Sequence, residues 1–371
     1  AFIQIDKITD GYEAAGRRTS RSTVAADSLI KTRPETFYTA NYDAANRMTD
    51  ITLKGTEQGG ADVTYLLGYD TAGNLTTRTG GNQQTTYTWD GRDRLTKVET
   101  TQNGNTVPSL TATFKYDALN RRIERTITQG TNPAVTTRYV YDGMQAVAEL
   151  RPGQTQAQDS TTHLLTGLAI DEMIARYSTQ GGTTESRKFL TDALGTTLAL
   201  AKDDKTLATA YGYSAYGETQ ASGEASANDS EYTARENDGT GLYYYRARYY
   251  DPVLKRFIAE DPIGLEAGPN VYAYVDADPV AGIDPYGLET IYNYQNIRVV
   301  AYPGPPAVQG QGPVEHGRLT GQGHHIHTFI GNKEGPRILV DTWKVYPGDE
   351  KLCKGDFKKI LDANEGEKQY M

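Results

Sequence analysis

The chain has 371 residues, with one cysteine, five histidines and a formal net charge of −9. The lone Cys353 excludes an internal disulfide and any zinc site built on paired thiolates, and the acidic balance speaks against nonspecific nucleic-acid binding by the whole chain. No apolar run approaches the roughly 20 residues that a membrane-spanning helix needs, so no membrane span is expected.

The chain opens on Ala1 without a basic-then-apolar leader, which reads as a fragment or processed product whose missing export signal says little. Its 27 Tyr and 38 Gly stand against 7 Phe, 4 Met and 2 Trp. Tyr favours strands, while Gly with Asn and Asp supplies turns, so a mainly β chain with a polar, Tyr-bearing surface is expected. An internal repeat organises the first half. A short strand ends in aromatic-Asp, a turn holding Gly or Asn follows, and a second strand returns. Tyr42-Asp43 leads to Asn46-Arg47, Tyr69-Asp70 to Gly73-Asn74, Trp89-Asp90 to Arg92 and Arg94, and Tyr116-Asp117 to Asn120-Arg121. Tyr141-Asp142-Gly143 is a further copy, and Gly11-Tyr12 with Gly16-Arg17 reads as a decayed earlier one. The steps between the aromatics are 27, 20, 27 and 25 residues. The Asp can hold turn amides, and Gly or Asn accepts positive φ. One hairpin cannot bury its own face, whereas stacked hairpins form a continuous sheet.

From Thr191 the repeat loosens into strand-turn units of another kind, Phe189–Gly195 and Tyr211–Glu218. There follows Glu236-Asn237-Asp238-Gly239-Thr240-Gly241-Leu242-Tyr243-Tyr244-Tyr245-Arg246-Ala247-Arg248-Tyr249-Tyr250-Asp251-Pro252, then Arg256-Phe257-Ile258 and Asp261-Pro262-Ile263-Gly264-Leu265. The run closes on Asn270-Val271-Tyr272-Ala273-Tyr274, Asp278-Pro279-Val280 and Asp284-Pro285-Tyr286-Gly287-Leu288. This stretch resembles the Rhs-associated core domain, and the repeats before it resemble YD repeats. Lys255 and Asp276-Ala277-Asp278 depart from the family's pattern in minor ways. The resemblance implies a spiralling antiparallel β-sheet forming part of a hollow shell, with the core domain plugging one end. Residues 1–288 are too few to close such a shell, so the remainder is expected N-terminal to Ala1.

The resemblance further implies self-cleavage after the second D-P-x-G-L, between Leu288 and Glu289. Its chemistry would be that of an aspartic protease. Two carboxylates close together cannot both ionise; the charged one activates water and the protonated one polarises the carbonyl of Leu288. The matching pair is Asp261 and Asp284, one opening each D-P-x-G-L. Pro285 and Gly287 would turn the chain back on itself, and Asp251 and Arg256 are polar candidates for positioning the site. No cofactor is needed for such a step. Asp-Pro-x-Gly is also an ordinary turn sequence, and Asp261 can be read as a loop cap.

Composition changes after Leu288. Residues 289–371 hold ten Lys/Arg and ten Asp/Glu, so the acidic excess lies in residues 1–288, while four of the five His fall here. Tyr292–Tyr302, Ile326–Ile330 and Ile338–Tyr346 read as strands, 302–323 as a Gly- and Pro-rich loop, and Asp356 as the N-cap of a short helix. A small α+β domain is the expectation. His325 and His327 alternate in a strand, with His316 and His324 near the loop. Imidazoles suit general acid–base work as in metal-independent ribonucleases, with Arg318, Lys333 or Arg337 to hold a phosphate. A second reading is a metal held by His325, His327 and Glu315 or Asp341; a third is that these His do no chemistry. No H-x-E precedes a P-C-x-x-C, which speaks against a zinc deaminase.

The chain thus divides into a YD-repeat sheet over 1–190, a core domain over 191–288 and a variable tip over 289–371. By resemblance the tip is a toxin, carried by an exported effector and acting in the target-cell cytoplasm; its histidines favour a nuclease, with RNase activity first. The resemblance implies a cognate immunity protein, the N-terminal remainder of the shell, a secretion apparatus or adaptor (type VI secretion being common) and nucleic acid as substrate. The competing reading is an adhesive surface protein whose repeats contact carbohydrate or another cell, with an inert tip.

Overall fold

The computed structural model describes residues 38–55, 60–153, 159–267, 270–280 and 282–294, and the strand positions 6–12, 18–25, 297–302, 325–330, 333–334, 338–339 and 344–345. Two compact units divide the chain. One comprises Ala1–Val24, Asp261–Asp284 and Leu288–Met371, the other Ala25–Glu260 and Pro285–Gly287.

The second unit is built on a sixteen-stranded antiparallel sheet from β3 (Tyr38–Tyr42) to β18 (Thr219–Gly223), every strand bonded to its neighbour in sequence. Five of its hairpins are closed by one and the same turn. Asp117 Oδ1 accepts from the amides of Leu119 and Arg121, both at 2.9 Å, and Asn120 takes a φ of 64°. Asp43, Asp70 and Asp90 do the same for residues two and four ahead, with Asn46, Gly73 and Asp93 left-handed. Past Thr191 the idiom continues: Asp192 accepts from Leu194 and Thr196 around Gly195 at φ 80°. The Tyr141-Asp142-Gly143 copy differs. Asp142 closes a strand opposite Gln145, and Gly143 at φ 57° makes a shorter turn.

Side chains alternate between the two faces of the sheet. In Leu110–Tyr116, Ala112 and Phe114 are buried while Thr113 and Lys115 are exposed. Met48, Ile51, Leu75, Leu95 and Val98 lie wholly buried on the same side. Each contributes about 1.5–3 kcal/mol by leaving water. They pack against Leu242, Tyr244, Tyr249, Leu254 and Ile258 of a four-stranded antiparallel sheet. That sheet runs through β19 (Glu236–Asn237), β20 (Tyr243–Tyr245), β21 (Arg248–Asp251) and β22 (Arg256–Phe257).

Burying five tyrosines here requires a partner for each hydroxyl. Tyr243 donates to Gly217 O, Tyr244 accepts from Arg122 N–H, and Tyr250 donates to Tyr216 O. Tyr245 pairs with Thr233 Oγ1 and Tyr249 with the hydroxyl of Tyr116. Buried ion pairs fasten the same layers. Arg122 pairs with Asp238, Arg125 with Asp238 at 2.8 Å and Asp229 at 3.0 Å, and Arg78 with Asp251 at 2.8 Å.

In the first unit β1 (Asp6–Tyr12) pairs with β2 (Arg18–Ala25). A separate antiparallel sheet runs β23 (Gly282–Ile283), β24 (Ile291–Tyr294), β25 (Ile297–Tyr302), β26 (His325–Ile330), β28 (Ile338–Leu339) and β29 (Lys344–Val345), with β27 (Lys333–Glu334) also on β26. The stretch read as one strand over Tyr292–Tyr302 is a hairpin, Ile291 pairing with Val300, because the polar Gln295-Asn296 interrupts the alternation. Ile338–Tyr346 likewise holds two paired short strands. Tyr302, the expected start of the Gly- and Pro-rich loop over 302–323, ends β25, and the rest of that stretch and the helix expected from Asp356 lie outside the described residues. Among the described residues no helix is long and apolar enough to cross a membrane.

Candidate functional site

The candidate bond lies in a hairpin loop. β23 and β24 pair through Gly282–Tyr292 and Ile283–Ile291, so residues 284–290 form the connection and Leu288–Glu289 falls within it. Asp284, 2% exposed, opens that loop. Its Oδ1 accepts from Leu288 N at 3.0 Å and from Glu289 N at 3.2 Å. This is the repeat turn's idiom, an Asp holding the amide four residues ahead, extended by one residue. Glu289 N is the nitrogen that would leave if the bond broke. Asp261, 5% exposed and in the same unit, shows the loop-cap geometry that its sequence also allows. Its Oδ1 accepts from Ile263 N at 3.0 Å and its carbonyl from Gly264 N at 2.8 Å, while its own N–H donates to Val271 O.

Pro285–Gly287 are held within the other unit by three consecutive residues at the tip of the β20–β21 hairpin. Arg246, left-handed at φ 57°, donates from Nη1 to Pro285 O. Ala247 N donates to Tyr286 O at 3.1 Å, and Arg248 Nε to Gly287 O at 2.5 Å. Arg248 lies over the ring of Phe257, 3.7 Å from its centroid. Gly287 has φ 67°, and a Cβ there would lie 2.4 Å from Tyr245 O. The turn expected of Gly287 is thus required twice over, by conformation and by space. Asp251 is wholly buried; it accepts from Arg78, Val253 N and Leu254 N and stands opposite Arg256, whose guanidinium lies 5.2 Å from the Tyr42 ring centroid.

Sequence reasoning gave no role to Arg246 or Arg248. A usable signal was present: two arginines in a run of buried tyrosines must find acceptors, and backbone carbonyls of a turn are the commonest supply.

A family model for the RHS repeat matches residues 69–106, the region of the Asp70 and Asp90 turns. A double-stranded DNA deaminase toxin A from Burkholderia cenocepacia is 32% identical over 327 residues, covering 81% of this chain and 22% of the relative. The chain belongs to the Rhs/YD-repeat family. A tRNA3(Ser)-specific nuclease WapA from Bacillus spizizenii is 31% identical over 304 residues, covering 79% of this Rhs chain and 11% of the relative. The chain therefore spans about a fifth of one curated relative and a ninth of the other. In fold it is similar to the TcdB2–TccC3 crystal structure, with a TM-score of 0.52 and 20% identity over 76% of this chain and 17% of that one.

Of the histidines in the tip of this Rhs chain, His325 and His327 occupy β26, where His327 stands opposite Val300 and His325 opposite Tyr302 and Leu339. Lys333 begins β27. His316, His324, Glu315, Arg318, Arg337 and Asp341 lie outside the described residues.

Proposed function

We propose that this chain is the C-terminal part of a self-cleaving Rhs effector, which severs Leu288–Glu289 and so frees residues 289–371 as a toxin. The observation that carries the reading is the reach of Asp284 Oδ1 to both amides flanking Leu288, 3.0 and 3.2 Å away. In the proposed step the ionised carboxylate of the Asp261–Asp284 pair takes a proton from water, whose oxygen attacks the Leu288 carbonyl carbon. The protonated partner polarises the carbonyl oxygen. The tetrahedral intermediate then collapses, the C–N bond breaks, and the Glu289 amine leaves with a proton. In this reading Asp284, whose Oδ1 lies 3.2 Å from Glu289 N, hands that proton over. The large β-sheet would form part of the effector's shell.

For the toxin, nuclease activity is the favoured reading, with RNA as substrate, supported by the tRNA nuclease among the relatives and by the histidines at 316, 324, 325 and 327. A deaminase reading, suggested by the Burkholderia relative, meets a tip with the single thiol of Cys353. Export as an effector, action in the target-cell cytoplasm, an immunity protein and an adaptor of the secretion apparatus complete the proposal.

The purified chain should run as two bands on a denaturing gel, the smaller beginning at Glu289 by N-terminal sequencing. Asp284→Ala and Asp261→Ala should each leave one band, and an undiminished cut in both variants would overturn the aspartyl mechanism. Expression of residues 289–371 in a bacterium should arrest growth with RNA breakdown, relieved by His325→Ala with His327→Ala. Unimpaired growth would remove the toxin reading.

A further inference from the structure

Arg246 is a buried cation, and the carbonyl of Pro285 alone cannot balance its charge. The balance comes from the large sheet. Asp171 lies in the loop between the strands Ser160–Thr166 and Met173–Gln180, itself left-handed at φ 61°. Its two oxygens take Arg246 in a fork, Oδ1 with Nη2 at 2.6 Å and Oδ2 with Nη1 at 2.9 Å. Arg246 Nε donates to Met144 O at 3.2 Å, and the amide of Asp171 donates to Gln145 Oε1 at 3.0 Å. Two adjacent hairpin ends of the sheet, around residues 143–145 and 167–172, therefore build one socket for this guanidinium. A second cation, Arg235, shares Asp171 at 2.7 Å and pairs with Glu236, but has no bond to the Pro285–Gly287 segment among those described above.

We propose that Asp171 is a positioning residue for self-cleavage: it fixes Arg246 on the carbonyl of Pro285, making the cut conditional on those two hairpins having folded. The proposal rests on the cleavage reading above. It gives the buried charge a purpose beyond stability, because the atom Arg246 delivers is a donor to the residue directly after Asp284. Burial by itself would push the Asp171 carboxyl up, but the charges of Arg235 and Arg246 outweigh it and hold the group below its ordinary value, so it stays an anion in the socket.

The test uses the full chain and follows the cut on denaturing gels at a temperature where every variant is folded by circular dichroism. Asp171→Asn keeps a residue type that tolerates left-handed φ and removes the charge. It should slow the cut about tenfold or more, the usual worth of a charge-assisted hydrogen bond. Arg246→Ala should do the same, and Arg246→Lys should recover part of the lost rate by returning a cation to the socket. Arg235→Gln should lower the melting temperature yet cut close to the wild-type rate, since it leaves the Arg246–Pro285 contact in place. Wild-type cutting by Asp171→Asn, or Arg235→Gln slowed as much as Asp171→Asn, would overturn the proposal. If Asp171→Asn does not fold, the Arg246 pair decides, and equal rates in Ala and Lys count against it. An uncut wild-type chain is a separate result, which removes the cleavage reading and this inference with it.

Discussion

Arg248 donates its Nε–H to the carbonyl oxygen of Gly287 at 2.5 Å, joining positions 39 residues apart in sequence. With Arg246 on Pro285 and Ala247 on Tyr286, each residue of the turn after Asp284 has its carbonyl held by a fixed donor. The turn leading to the bond proposed for cleavage is thereby fixed on folding, which would lower the entropy cost of reaching a reactive geometry.

Gly287 is the position where that arrangement tolerates least change. Alanine would force φ 67° on a residue with a Cβ and place that Cβ 2.4 Å from Tyr245 O. Gly287→Ala should cost about 1–3 kcal/mol, read by urea unfolding, and should slow the cut because the strain is relieved by lifting the turn off Arg248. Unchanged stability would show that the turn is looser than the geometry requires.

The repeat turns can be tested against one another. Asp117→Ala removes the acceptor for Leu119 N and Arg121 N and for Arg121 Nε, and should cost about 1 kcal/mol. Asp142→Ala, at an exposed residue that closes its strand opposite Gln145, should stay within about 0.5 kcal/mol. Equal losses would mean that the two turns work alike.

That contrast marks how far the sequence could be read. An aromatic-Asp with Asn, Gly or Asp three residues past the Asp announces the turn because the physics is local, one carboxylate and one left-handed residue, and four of the five intact copies fold that way. Asp142 also follows a tyrosine, but Gln145 stands three residues past it, and its neighbour Gly143 permits a tighter turn that leaves the carboxylate out of the turn's bonding. The turn that Asp284 opens was legible for the same local reason. Asp171 was not: its partner Arg246 is 75 residues away, and nothing near Asp171 in sequence separates it from any other loop aspartate.

Glu231 makes stability depend on pH. Burial, the largest influence, pushes its carboxyl up to about 7 from an ordinary 4.5, with the Asp229 charge adding to the rise and the Asn237 hydrogen bond at 2.7 Å opposing it. The folded state therefore holds the proton more tightly than the unfolded one. The stabilisation is complete below about 4.5 and is lost as pH rises through about 7. Glu231→Gln, a neutral isostere, should raise the melting temperature at pH 8 and leave it unchanged at pH 4. A variant less stable at pH 8 would show that the ionised carboxylate is the form the fold prefers.

Asp238 bears on what fastens the four-stranded sheet to the large one. It pairs with Arg122 and, at 2.8 Å, with Arg125, and all three are buried. Among the described residues Arg122 Nε and Nη2 have no hydrogen-bond partner, and apart from Asp238 and the bond of Nη1 to the Tyr249 hydroxyl the guanidinium is met by aromatic faces, Tyr244 the nearest at 4.2 Å. Those faces help a cation but do not replace a counter-charge. Asp238→Ala should therefore cost about 3–5 kcal/mol, since it strands the guanidinium of Arg122 between the sheets and leaves Arg125 with Asp229 alone. Arg122→Met leaves Asp238 its pairing with Arg125 and fills the aromatic cage with an apolar chain, so it should cost clearly less. The order of the two losses in urea unfolding is the measurement. If Arg122→Met proved the worse, the layers would be held by the cation on its aromatic cage, and the carboxylate would be secondary.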